Sequence, residues 1–234
     1  MTDILPVYHK EFMRKKQQLR AWAALSLGFL LCGIGILSWL RPTAAAADAK
    51  TVVFFGDSLT AGYGIEMAQA FPALVQEKIA ARGWNFAVVN AGKSGETTAG
   101  GLRRLEWLLR SRVDVLILGL GGNDGLRGIP AEVTERNLQA IINRTREKNP
   151  GAKIVIAGMQ VPPNLGEAYA TEFRRIFVNL AKKNRCPLIP FLLEGVGGIR
   201  ELNLPDGIHP TVEGHRIIAE NVWKVLQPVL KSLL

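Results

Sequence analysis

The sequence predicts an α/β domain: a three-layer α/β/α sandwich on a five-stranded parallel sheet. Three observations carry this. After residue 48, short apolar runs alternate with amphipathic helical stretches, the pattern of a parallel sheet covered on both faces. The runs are near-continuous in Val, Ile and Leu, as strands buried on both faces require. Glycine-rich polar segments follow three of them, where open α/β sheets place their ligand crevice.

The elements follow in order. TVVFFG at 51–56, β-branched and aromatic, is the first strand, and a helix is expected over 70–82. FAVVN at 86–90 is the second strand, followed by a helix over 98–110. DVLILGLG at 114–121 is the third, followed by a helix over 131–149. KIVIAG at 153–158 is the fourth, and the helix over 168–184 repeats Ile176, Phe177, Leu180 and Ala181 at helical spacing. CPLIPF at 186–191 is the fifth strand, and a helix over 211–233 closes the domain.

Residues 1–47 read as a leader and 48–234 as one domain with a sizeable core. Residues 21–40 carry no charge, follow a basic segment and precede Arg41, Pro42 and an alanine-rich stretch. A 20-residue apolar helix is long enough to span a bilayer. Ala45 and Ala47 supply the small residues of a cleavage site, with the cut after Ala47. Two outcomes stay open: a signal peptide releasing the domain into the periplasm or cell envelope, and an inner-membrane anchor holding the domain outside the cytoplasm. Membrane contact is expected only through an uncleaved leader.

Six basic residues against two acids give the leader +4 of the formal net charge of +9, so the domain is only mildly basic. Arg174, Arg175, Lys182, Lys183 and Arg185 form its densest basic stretch. They lie on a helical pattern and read as a solvated face rather than a nucleic-acid footprint. Cys32, in the leader, and Cys186 cannot staple the domain, and Cys186 is expected in the core. The expectations are a monomer, no nucleic-acid partner and no cofactor.

The chemistry begins at Ser58, directly after the first strand, and at DGIHP, where Asp206 precedes His209 by three residues. A serine, a histidine and an acid are the minimum for an activated nucleophile. Ser94, in GKSG, is the rival serine but lacks the GxSxG elbow. Of three histidines, His9 precedes the apolar run and His215 falls inside a helical pattern, where a surface position is expected. Only His209 has an acid at short fixed spacing, able to hold the tautomer that accepts the serine proton. Gly92 offers an unobstructed backbone N–H, and Asn123 a side-chain amide, to a developing oxyanion; Asp124 is expected to brace its loop.

Three other readings fail. GKS is no phosphate loop, because Ala87 stands where a glycine is needed. GLGGNDG misses the dinucleotide fingerprint, because Asp124 occupies its last position. No second His cluster, HExxH or cysteine pair completes a metal site around Asp206 and His209, so no metal is expected.

FFGDSLTAGYG, NAGKSGETTAGG, LGGNDGLRG and DGIHP, with PLIPF before the last, together resemble the SGNH (GDSL) hydrolase family. The resemblance runs through Ser58, Gly92, Asn123 and His209 and covers roughly residues 51–230. It is nearest to bacterial periplasmic members described as acyl-CoA thioesterase, arylesterase and lysophospholipase. The resemblance implies a flavodoxin-like fold and a serine esterase and thioesterase working through an acyl-enzyme at Ser58. Asp206 and His209 complete its catalytic set, and Ser58, Gly92 and Asn123 its oxyanion hole. Small-molecule acyl esters, thioesters or lysophospholipids are the implied substrates. The implied acyl walls lie at 94–98, 126–129 and 159–165, with Leu126 and Pro162 as substrate-binding residues. A carbohydrate or peptidoglycan O-acetylesterase is the alternative enzyme. A catalytically silent binding module is the alternative outside enzymes, against which the complete residue set speaks.

Overall fold

Five strands, β1 (Lys50–Gly56), β2 (Phe86–Asn90), β3 (Val115–Gly119), β4 (Lys153–Ala157) and β5 (Leu188–Ile189), pair in parallel in the order β2-β1-β3-β4-β5. The computed structural model describes residues 49–234, which lie in one compact unit, Asp48–Leu234. The leader, its apolar run at 21–40, Cys32, His9 and the cut after Ala47 lie outside the described residues. Among the described residues no helix is long and apolar enough to cross a membrane.

Among the described residues, seven α-helices accompany the strands: α1 (Ser58–Ala61), α2 (Phe71–Ala80), α3 (Thr98–Leu108), α4 (Gly122–Leu126), α5 (Ala131–Lys148), α6 (Glu167–Asn184) and α7 (Val212–Lys231). α2 packs with α7 on one face of the sheet, whereas α3, α5 and α6 pack side by side on the other. Burial follows from this layering. Every residue of β3 is buried, as are Val52–Gly56 of β1 and Ile154–Ala157 of β4, so the central strands carry apolar side chains toward both helix layers. At roughly 1.5–3 kcal/mol for each fully buried large aliphatic or aromatic side chain, this core dominates the favourable side of folding.

Two differences from the expected elements have local causes. The fifth strand shrinks to Leu188–Ile189 because Pro187 and Pro190 flank it and offer no N–H to a ladder; the Pro187 carbonyl still accepts from Ile156. The short helices α1 and α4 were not anticipated. Each is a single turn following β1 or β3, too brief to show a 3.6-residue apolar period.

The strand order reverses direction between β1 and β3, whose register pairs Gly56 with Gly119 at their C-terminal ends. A crevice opens at such a switch point, because the connections leave it on opposite faces of the sheet. Ser58 lies two residues beyond Gly56 and Asn123 four beyond Gly119, so α1 and α4 stand side by side over the crevice.

Candidate functional site

The site is assembled from β1, β3 and one distant hairpin. Asp57 caps α1 by accepting from the Leu59 N–H at 3.1 Å, which fixes Ser58 as the first helical residue. The Ser58 N–H then lies among the first-turn donors that have no acceptor within their own helix. Ser58 is 8% exposed, so its hydroxyl lies at the floor of the crevice.

The segment between β5 and α7 brings the histidine back to this edge. Asn203 donates to the Val196 and Ile199 carbonyls and bridges Pro210, while the Leu204 N–H bonds the His209 carbonyl at 2.7 Å. Within this closed hairpin, Asp206 Oδ1 accepts from the N–H groups of Ile208 and His209, both at 2.9 Å. Its Oδ2 lies 2.7 Å from His209 Nδ1, and His209 Nε2 lies 2.9 Å from Ser58 Oγ. Three residues separated by up to 151 positions thus form one continuous hydrogen-bonded relay. The His209 backbone N–H, its ring and the Ile208 N–H hold the Asp206 carboxyl down at about 2.

Asp57 behaves oppositely. Burial pushes its carboxyl up to about 6, against the opposing hydrogen bonds from Leu59 and Asn123. The Asn123 Nδ2 donates to Asp57 Oδ2 at 3.3 Å, and since a carboxamide carries two N–H donors, one remains for the crevice. Asp124 is fully buried and accepts from the Thr98 N–H at 2.8 Å and from the Thr98 hydroxyl, tying α4 to the start of α3. It braces the loop, as expected.

Gly92 departs from the expectation. Its N–H donates to Asn90 Oδ1 at 3.0 Å, a local side-chain-to-backbone bond that commits the proposed oxyanion donor elsewhere. The glycine serves packing instead, since a Cβ there would lie 2.3 Å from the Ala61 nitrogen of α1. Ser94 is exposed in the turn closed by the Glu96 N–H on the Lys93 carbonyl, and it bonds no histidine among the described residues.

Leu126 is 44% exposed at the end of α4, and Pro162 is also exposed. A Cβ on Gly125 would meet Val161 Cγ1 at 2.3 Å, so the two segments that carry Leu126 and Pro162 meet through the residues immediately preceding them. Tyr63 is a neighbour that the sequence did not single out. Its ring centroid lies 4.4 Å from that of His209, tilted by 39°. The clue was its place in AGYG, one residue after the glycine that ends α1.

His215 is corrected more sharply. It is fully buried rather than on a helix surface; its Nδ1 accepts from the Phe71 N–H at 3.2 Å, and its ring stacks on Phe71. Burial, with the nearby His209 charge, lowers it to about 4. Cys186 lies part-way to the surface rather than in the core, with Sγ 3.6 Å from Arg146 Nη2 and the Asn184 carbonyl. The basic side chains of α6 are exposed, as a solvated face requires. Among the described residues no three His, Cys, Asp or Glu side chains gather as a metal site.

Comparison with known proteins gives a consistent set of relatives. The GDSL-like Lipase/Acylhydrolase family matches residues 54–217. Esterase TesA of Pseudomonas aeruginosa is 41% identical over 197 residues, spanning 84% of this chain and 96% of that protein. The Escherichia coli protein named thioesterase 1/protease 1/lysophospholipase L1 is 38% identical over 80% of this chain and 88% of its own length. A crystal structure of TesA superimposes with a TM-score of 0.73 at 40% identity, covering 76% of this chain and 99% of that one.

Proposed function

Because the chain belongs to the GDSL-like lipase/acylhydrolase family, we propose that it hydrolyses acyl esters and thioesters through a covalent acyl-serine, as an enzyme of the arylesterase, thioesterase and lysophospholipase kind. The observation that carries this reading is the unbroken relay from Ser58 Oγ through His209 to Asp206. His209 Nε2 takes the hydroxyl proton as Oγ attacks the acyl carbon. Asp206, already charged, stabilises the imidazolium that forms and holds its tautomer. Collapse of the tetrahedral intermediate expels the alcohol or thiol, which receives the proton from His209. Water then repeats the sequence on the acyl-serine and releases a carboxylate.

The oxyanion takes the Ser58 N–H and the second Asn123 amide hydrogen. Leu126 and Pro162 border the acyl group from the α4 and β4 sides. The mechanism requires no cofactor or metal.

Residues 48–234 are the enzyme, working as a monomer, and residues 1–47 export it to the periplasm or cell envelope. The charge-free run at 21–40 supports this, since it follows a basic segment and precedes a small-residue cleavage motif. A chain beginning at Asp48 is expected to be soluble and fully active, and intact mass of the envelope fraction separates a cleaved form from an anchored one. Activity confined to the cytoplasm would refute export.

The decisive test of the reaction is an acyl-length series of aryl esters run beside acyl-CoA and a lysophospholipid. Turnover of medium-chain esters and of at least one thioester, with a fluorophosphonate probe labelling Ser58, is expected. Turnover of acetyl esters alone would overturn the substrate class in favour of the O-acetylesterase.

A further inference from the structure

The α3 face of the sheet is left open along its β2 edge. Phe86 and Val88 face α2, and Ala87 and Val89 face the other way by the two-residue repeat of a strand; both are exposed, Val89 to 42%. The α3 layer reaches only as far as β1. Val53 pairs in register with Val89, and with Thr51 the two floor a groove of about 590 Å³ whose wall is α3, with Leu108 and Trp107. The Trp107 ring is 66% exposed. An indole left in water over an aliphatic floor is the kind of apolar surface that marks a binding groove.

Every ionisable side chain lining the groove is a cation. Arg104 is tied to Glu96 and to the Gly56 and Ala91 carbonyls, and Arg112 to Asp114. Lys93 at one end and Arg110 toward the other make no ion pair among the described residues. An aliphatic floor that ends at the unpaired cation Arg110 matches a hydrocarbon chain whose terminal anion sits at Arg110 and whose tail runs over Trp107, Val53 and Val89.

We propose that this groove binds a fatty carboxylate. Its upper end is the loop of Asn90, Ala91, Gly92 and Lys93, which also borders the crevice, so it begins beside the place where the acyl group is released. The choice of ligand rests on the acyl-hydrolase reading, because a carboxylate is the product of that reaction; the groove and its charges do not depend on it. A neutral chain has no use for Arg110, and a short acid held there does not reach Val89.

Calorimetric titration of the full chain with laurate below its micelle concentration, and with dodecanol as the uncharged chain, tests the proposal. Arg110→Gln, Trp107→Ala and Val89→Glu serve as variants, and any contribution of the leader is common to all. Laurate is expected to bind at least about tenfold more tightly than dodecanol, and each substitution to weaken it by about tenfold. Hydrolysis of an acetyl aryl ester is expected to stay within about twofold of wild type, since none of the three touches Ser58, His209 or Asn123. Unchanged laurate affinity in the variants, or equal affinity for dodecanol, overturns the groove while leaving ester hydrolysis intact. Variant-sensitive laurate binding in a chain that turns over no acyl ester upholds the groove and sinks the proposed function instead.

Discussion

Asp206 and His209 stand on a hairpin at the rim of the crevice, their side chains 39% and 17% exposed, whereas Asp57 and His215 lie in its floor, almost sealed from water. Asp57 is the immediate neighbour of Ser58, and His215 follows His209 by six residues, yet their electrostatics are opposite. At the rim, backbone N–H groups and an imidazole surround the carboxylate and keep it charged down to about pH 2. In the floor, desolvation favours the neutral forms, so Asp57 holds its proton up to about pH 6 and His215 refuses one down to about 4. The same two residue types thus form a charged, hydrogen-bonded pair facing Ser58 in one place and a neutral, buried scaffold in the other. Burial, not nearness in sequence to Ser58, separates them: both carboxylates accept hydrogen bonds, but Asp57 and His215 are desolvated whereas the rim pair is not.

The largest effects should come from the rim. Ser58→Ala and His209→Ala should each lower kcat by roughly 10⁴-fold to 10⁶-fold, because residues acting as a unit fail together. His215→Gln should leave kcat within about tenfold on the same aryl ester. Comparable losses at the two histidines would erase the distinction between rim and floor. Asp206→Asn should cost roughly 10⁴-fold, by analogy with the tautomer error known for serine-protease triads.

A smaller loss tests the junction of the two regions, since Asn123 reaches from the crevice to Asp57. Asn123→Ala should lower kcat by about 10²-fold to 10³-fold with KM nearly unchanged, because its donor meets charge that exists mainly in the transition state. A raised KM at constant kcat would instead make Asn123 a substrate-binding group.

The smallest effects are on stability, read from chemical denaturation between about pH 4 and 6. His215 is lowered in the folded state, so the unfolded chain binds more protons in this window and stability falls as pH falls, by about 2 kcal/mol. Asp57 is raised, so the folded chain binds more protons there and stability falls as pH rises, by a similar amount. The two slopes nearly cancel in the wild type. His215→Gln should therefore become more stable toward pH 4, and Asp57→Asn less stable. Parallel profiles for the two variants would show that the floor is not the dry layer described above. Below about pH 4 the contribution of Asp206 is lost as its carboxylate protonates, which lowers stability further.

What the sequence determined by itself was whatever short spacing controls. Near-continuous Val and Ile in β1, β3 and β4 announced buried parallel strands, and the three-residue step from Asp206 to His209 announced a pair whose geometry is closed inside one hairpin. The prolines that cut β5 to two residues were equally visible in CPLIPF, though their effect on the ladder was not drawn from it. Even the commitment of the Gly92 N–H to Asn90, two residues away, was local enough to read, but a glycine N–H has many competing acceptors and only the folded loop selects one.

Tertiary structure decided everything that depends on what a residue is packed against. His215 has a helical pattern in its own segment, but α2 and the Phe71 N–H, distant by 144 residues, cover it and hold it neutral. Asp57 caps its own helix locally, yet its raised protonation comes from burial beneath α4. The approach of Ser58 to His209 across 151 residues exists only because the strand order reverses between β1 and β3 and the last loop returns to that edge. Hydrogen bonds between near neighbours are set by chain geometry and can be read from spacing, whereas desolvation and long-range contact depend on which surfaces the core brings together.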